Sequence, residues 1–160
     1  MRNRKSTARK SILIVDDEHD MRLVLRAIFD RAGYSVTEAR DGQEALDLLQ
    51  GERFDLMVLD LTMPQVSGKQ VLQQLGEKRL KEMPVIILSA KSPHRHAGIE
   101  YRENTLFYVV KPFPNALIRD LAKCLLENLK EEEKNRTLFG LLRYPCFAIN
   151  FDLLGVDKPD

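Results

Sequence analysis

Residues 54–64 read FDLMVLDLTMP, with Leu56, Met57, Val58 and Leu59 on consecutive positions and an acid, Asp60, directly after them. A strand with one wet face alternates apolar and polar side chains. Unbroken apolarity belongs instead to a strand covered on both faces, as in a parallel sheet sandwiched by helices. Three further runs follow the same rule: SILIV (11–15) stops at Asp16-Asp17, PVIIL (84–88) at Ser89-Ala90, and LFYVV (106–110) at Lys111-Pro112. A weaker alternating segment, YSVTEA (34–39), supplies a candidate outer strand. In an open parallel sheet the carboxyl ends of the strands share one edge, and ligands sit there. The runs predict an α/β fold whose chemistry is gathered from Asp16, Asp17, Asp60, Ser89 and Lys111.

Helical stripes separate these strands, as parallel crossovers require. In residues 18–32 Met21, Val24, Leu25, Ile28 and Phe29 recur at three and four, and Gly33 follows as a left-handed stop. Asp41-Gly42 opens a second helix striped by Ala45, Leu48 and Leu49 and closed by Gly51. Ser67 caps a third, carrying Val71, Leu72 and Leu75, which frays near Gly76 into a charged stretch ending at Met83. Residues 94–103 offer only Ala97, Ile99 and Tyr101 beside an internal Gly98, so a helix there is the least stable of the set. Residues 115–134 predict one long helix with Leu117, Leu121, Leu125 and Leu129 on a stripe and Cys124 packed beside it.

The 160-residue chain is 44% hydrophobic with a formal net charge of +1, so it can build a core, and its global charge suggests neither nucleic acid nor acidic lipid as a partner. Residues 1–10, MRNRKSTARK, are basic and lack the apolar core of a signal peptide or a spanning helix. A solvated arm and a cytoplasmic protein without membrane insertion are expected; an electrostatic tether is the arm's other use. Cys124 and Cys146 stand far from any CxxC pair, which fits a reducing compartment. His94 and His96 flank an arginine with no acid or thiol ligand nearby, so zinc is set aside.

Taken singly, Asp60 could form a turn, Lys111 a surface charge, Ser89 a helix cap and Tyr108 ordinary core. Taken together they set an electrostatic problem. Carboxylates a few ångströms apart repel by roughly 4 kcal/mol per close pair at the effective dielectric of a protein surface. A divalent cation offsets this, and Mg2+ suits best because it takes few carboxylates, keeps waters and completes its octahedron with phosphoryl oxygens. With the charge of Lys111 and the hydroxyl of Ser89 beside it, the edge becomes a seat for a phosphoryl group, and the Asp60 carboxylate is the nucleophile.

The joint pattern resembles the receiver domain of two-component response regulators over about residues 10–134. It comprises the acidic pair after the first strand, Asp60 with Met63-Pro64 and Gly68, Ser89-Ala90, and Tyr108 ahead of Lys111-Pro112-Phe113. The resemblance implies a doubly wound, flavodoxin-like five-stranded parallel sheet in the order 2-1-3-4-5, as in single-domain chemotaxis regulators. It implies Asp60 as phosphoacceptor, Asp16, Asp17, Asp60 and the Thr62 backbone carbonyl as Mg2+ ligands, Lys111 as the partner of the phosphoryl group, and Ser89 and Tyr108 as the switch. The donor it implies is a histidine kinase or histidine phosphotransfer protein. A downstream protein target would be bound through residues 94–103, the fifth strand and the following helix. No enzyme activity is implied beyond the domain's own phosphotransfer and autodephosphorylation. The chain departs from the family at Asn104-Thr105, where a Gly-Ala pair is usual; asparagine is the next-best left-handed stop. Thr62 and Lys91 border the pocket and are expected to tune the lifetime of the phosphorylated state.

Residues 11–134 are read as the receiver and 135–160 as an extension too short for a DNA-binding or enzymatic output domain. Phe147, Ile149, Phe151 and Leu153 alternate with Ala148, Asn150 and Asp152, a period of two that suits a half-buried strand. Disordered tails lack such patterning. The extension is expected to dock on its own domain or, with slight preference, on a second protomer as a homodimer formed by strand addition or swapping. The alternatives are a phosphate-independent receiver-like scaffold or dimerisation module, against which the acidic pocket stands, and an aspartyl-phosphate hydrolase. The hydrolase would carry its nucleophile after the first strand in a DxD arrangement. A dinucleotide-binding enzyme fares worse, because acids stand where its glycine-rich phosphate turn belongs.

Overall fold

The structure, a computed structural model, describes residues 8–90 and 106–149. The expected segment 94–103, Lys91, the Asn104-Thr105 departure, residues 150–153 of the alternating tail and most of the basic arm lie outside the described residues. Five parallel strands run in the order 2-1-3-4-5: β1 (Ser11–Val15), β2 (Ser35–Ala39), β3 (Leu56–Asp60), β4 (Val85–Ser89) and β5 (Leu106–Val110). This is the doubly wound order that the resemblance implied. Beyond β5 a short strand, β6 (Phe147–Ile149), joins antiparallel.

The unbroken apolar runs divide their side chains between two cores, because successive residues of a strand point to opposite faces. Ile12, Ile14, Leu56, Val58, Ile86 and Leu88 pack on one side with Leu25 and Phe29 of α1 (His19–Arg31). Leu13, Met57, Leu59 and Ile87 pack on the other with Ala45 and Leu49 of α2 (Gly42–Gly51) and Val71 of α3 (Gly68–Glu82). Gly33, at φ 89°, ends α1 as expected. Ser67 and Gln70 complete a capping box at the start of α3. Gly76 interrupts that helix with φ 71° and ψ 167° before the charged turns resume.

The expected long helix over 115–134 is two helices, α4 (Asn115–Leu126) and α5 (Glu131–Leu141). Glu127 and Lys130 are both extended, with ψ near 147° and 149°, so the chain turns between them. A straight helix would carry the stripe past the sheet. The turn lets Leu138 and Leu141 join the core cluster of Leu117, Ile118 and Leu121, and it places Glu131, Glu132 and Glu133 at a new helix N-terminus, where the macrodipole favours acids. The chain then returns along β5, pairing Phe147 with Val109, Ala148 with Tyr108 and Ile149 with Phe107. The described part of the extension, up to Ile149, thus pairs with β5 of its own chain.

Candidate functional site

The site forms where β1, β3 and β5 end. Asp16 follows β1 and is fully buried; its amide donates to Ala39 O at 3.2 Å, and its Oδ1 accepts from Glu18 N at 2.9 Å, which starts α1. Asp17 is exposed beside it. Asp60, the last residue of β3, is also buried, and its Oδ1 accepts from Thr62 N at 2.9 Å. The loop after Asp60 is pressed tightly against it. A Cβ on Gly68 would lie 2.2 Å from Asp60 O and 2.8 Å from Leu61 Cα, so only glycine allows the first turn of α3 to approach. Gln65, in the same loop, holds a left-handed φ of 63°.

Lys111 follows β5, and its amide donates to Ser89 O of β4 at 2.8 Å. The Lys111–Pro112 peptide is cis. The Lys111 ammonium donates to Asp16 Oδ2 at 3.0 Å, Glu18 Oε1 at 3.4 Å and Asp60 Oδ2 at 3.5 Å. One cation thus bridges the two buried acids, though it does not neutralise them fully. Burial pushes the carboxyls of Asp16 and Asp60 above the usual range, against the pull of their backbone hydrogen bonds and of Lys111. Burial also pulls on Lys111, but the carboxylates of Asp16, Asp60 and Glu18 outweigh it and hold the ammonium pKa above its ordinary value.

Asp16, Asp17 and Asp60 each offer a carboxylate oxygen, and these atoms lie within 4.8 Å of one another. Such a set of hard oxygen donors, partly compensated by one lysine, fits a divalent cation and in particular Mg2+. The response regulator receiver domain family matches residues 12–123, which include all of these acids and Lys111. The chain belongs to that family.

Among relatives, the transcriptional regulatory protein ResD of Bacillus subtilis is 34% identical over 144 residues, covering 85% of this chain and 59% of ResD. The response regulator TrrA of Thermotoga maritima, solved in complex with Mg2+-BeF, superposes with a TM-score of 0.64 at 33% identity, covering 73% of this chain and 99% of TrrA. TrrA has also been solved in complex with the histidine kinase ThkA, with a TM-score of 0.63, 33% identity, and 74% and 99% coverage. This receiver chain spans about half the length of the curated relatives it matches. Among the described residues no helix is long and apolar enough to cross a membrane.

Of the residues singled out in the receiver sequence, Asp16, Asp60 and Lys111 converge directly, and Asp17 completes the acidic group. Ser89 is fully buried and meets the group through its backbone carbonyl. Thr62 contributes its amide to Asp60. Tyr108 is 2% exposed and packs in the cluster of Leu59 and Ile87, so its ring already lies inside the fold. Two residues of the receiver site escape sequence reasoning. Glu18 supplies the third carboxylate on Lys111. Arg22, one turn into α1, donates to Asp16 O at 2.8 Å and Asp17 O at 3.2 Å while pairing with Glu38 of β2 at 3.3 Å. The only signal for it was a cation on the first turn after the acids, which periodicity does not weigh.

Proposed function

We propose that this receiver accepts a phosphoryl group on Asp60 from a histidine kinase or a histidine phosphotransfer protein, in an Mg2+-dependent reaction, and thereby controls binding to a downstream protein. The observation that carries the reading is the convergence of Asp16, Asp17 and Asp60 within 4.8 Å, with the Lys111 ammonium 3.0 Å from Asp16 and 3.5 Å from Asp60. The complexes of TrrA with Mg2+-BeF and with ThkA support it by likeness.

In this reading Asp16, Asp17, Asp60 and the Thr62 carbonyl hold Mg2+, which when bound supplies positive charge for phosphoryl oxygens. Thr62 N fixes one Asp60 oxygen, leaving a carboxylate oxygen to attack phosphorus as the bond from phosphorus to the donor imidazole breaks. Lys111 then exchanges its bond to Asp60 for one to the transferred group, and the Ser89 hydroxyl turns toward the same oxygens. The output surface consists of β5, α4 and residues 94–103, coupled to the site through Ser89 and Tyr108. Residues 11–134 make up the receiver and 135–160 the extension. The domain assists its own phosphotransfer and autodephosphorylation and has no other substrate.

The test is incubation with acetyl phosphate and Mg2+, comparing wild type with Asp60→Asn by intact mass. Wild type should gain one phosphoryl group and the variant none. A gain in neither leaves a phosphate-independent scaffold as the better reading.

A further inference from the structure

The turn from β2 into α2, residues 39–42, supplies no ligand or hydroxyl to the acidic site, and its one acid, Asp41, caps α2 by accepting from Glu44 N at 2.8 Å. It nonetheless touches both halves of the site. On one side Ala39 O accepts from the Asp16 amide at 3.2 Å. On the other, Gly42, the first residue of α2, lies against Val66 in the loop that follows Asp60. A Cβ on Gly42 would stand 2.4 Å from Val66 O, 2.7 Å from Val66 Cγ1 and 2.9 Å from Val66 Cβ. The φ of Gly42 is not left-handed, and alanine is the better helix residue, so glycine here serves the close approach itself.

The loop of residues 61–67 carries the group most easily displaced. Thr62 is exposed, yet its amide donates to Asp60 Oδ1 at 2.9 Å, and its carbonyl is the ligand that the loop would give Mg2+. Its place is therefore set by its neighbours. Leu61 N donates to Leu88 O and Gly68 N to Leu61 O, both at 3.2 Å, which fixes the two ends of the loop. The middle is held by packing. Met63 is buried, Gln65 turns the chain with its left-handed φ of 63°, and Val66 packs on the core cluster of Leu59 and Leu61 with its main chain against Gly42. A side chain at position 42 would meet a backbone oxygen that cannot swing aside, so the loop itself would have to move.

We propose that Gly42 is a positioning residue for the cation site: it lets the start of α2 seat Val66, and through the loop it sets where the Thr62 carbonyl stands relative to the carboxylates of Asp16, Asp17 and Asp60. This role rests on the Mg2+ reading of the acidic site. Its signature is selectivity between cations. Mg2+ demands a near-ideal octahedron of short bonds, whereas Ca2+ takes more oxygens at longer and more variable distances. A loop pushed outward at Val66 therefore costs Mg2+ more than Ca2+, while a general loss of packing weakens both alike.

The test is calorimetric titration of the full chain with MgCl2 and, separately, with CaCl2. Gly42→Ala should raise the Kd for Mg2+ about tenfold and that for Ca2+ only about twofold. Val66→Gly removes the opposing side chain and should also lower the preference for Mg2+. Gly42→Ala added to Val66→Gly should then cost less than it does in wild type, because both substitutions act through one contact. Circular dichroism at the titration temperature verifies each fold; if Gly42→Ala does not fold, Val66→Gly decides the matter alone. An unchanged ratio of the two affinities in a folded single variant overturns the proposal, whether both constants stay put or both weaken equally. Strictly additive effects of the two substitutions overturn it too. If wild type binds no Mg2+, the metal reading fails and this role of Gly42 fails with it, a case that the wild-type titration separates from the others.

Discussion

Asp60 is held under tension because burial disfavours its charge, Asp16 adds repulsion, and Lys111 offsets only part of both. Its pKa is raised in the fold, so its favourable contribution to stability is present below the ordinary aspartate value of about 4 and is lost as pH rises through the folded value. At neutral pH the ionised side chain is therefore a net burden. Asp60→Asn keeps an oxygen for Thr62 N and removes the charge, so without Mg2+ it should melt higher than wild type at pH 7. Each kcal/mol gained raises the midpoint by roughly 2–4 °C in a chain of this size. The advantage should shrink as pH falls toward 4; melting curves across that range check this, and a lower midpoint at pH 7 refutes it. Gly68 answers to sterics instead. A Cβ placed 2.2 Å from a backbone oxygen meets no side chain that can swing away, so Gly68→Ala should lose about 1–3 kcal/mol in urea unfolding and should also lose phosphoryl uptake at Asp60.

At the scale of elements, four apolar runs made β1, β3, β4 and β5 and their burial legible, because unbroken hydrophobicity has few other uses in a chain this polar, and a weaker alternation marked β2. The site residues at their ends were legible for the same reason: the runs stopped on Asp16-Asp17, Asp60, Ser89 and Lys111. The break at residues 127–130 was not, since Leu125 and Leu129 continue the helical stripe and nothing local forbids a helix; the burial of Leu138 and Leu141 decides it from a distance. β6 was legible as a strand, but its partner was not, because a period of two names a face and no neighbour. Polar ties between elements were the least legible. Arg22 joins α1 to the Asp16 and Asp17 carbonyls and to Glu38, whose pKa Arg26 and Arg22 hold down. The pKa of Glu38 is lowered, so this tie is intact above the ordinary glutamate value and fails as pH falls through the folded one. Arg22→Gln should free the acidic loop and weaken Mg2+ affinity severalfold by calorimetry, while Arg22→Lys should restore part of it. Equal affinity in all three proteins would reduce Arg22 to a surface tie.

For the whole molecule the acidic edge sets a competition between stability and ligand readiness. The fold holds Asp16, Asp17 and Asp60 close enough to repel, with Lys111 as partial compensation, so the metal-free protein stores an electrostatic cost that a bound cation relieves. A ligand that binds the native state alone stabilises it by RT ln(1 + [L]/Kd), about 2.7 kcal/mol at a hundredfold excess over Kd. That corresponds to roughly 5–11 °C for a chain of this size. Wild type should therefore start below Asp60→Asn without metal and climb with added Mg2+, while the variant, with one acid fewer, climbs less. The two melting curves converge or cross as Mg2+ rises, and EDTA should restore the original order. General ionic strength cannot mimic this, because screening by sodium at matched ionic strength acts weakly on buried groups. A parallel rise in both proteins would place the cation away from Asp60, and no rise in either would mean that Lys111 alone compensates the acids.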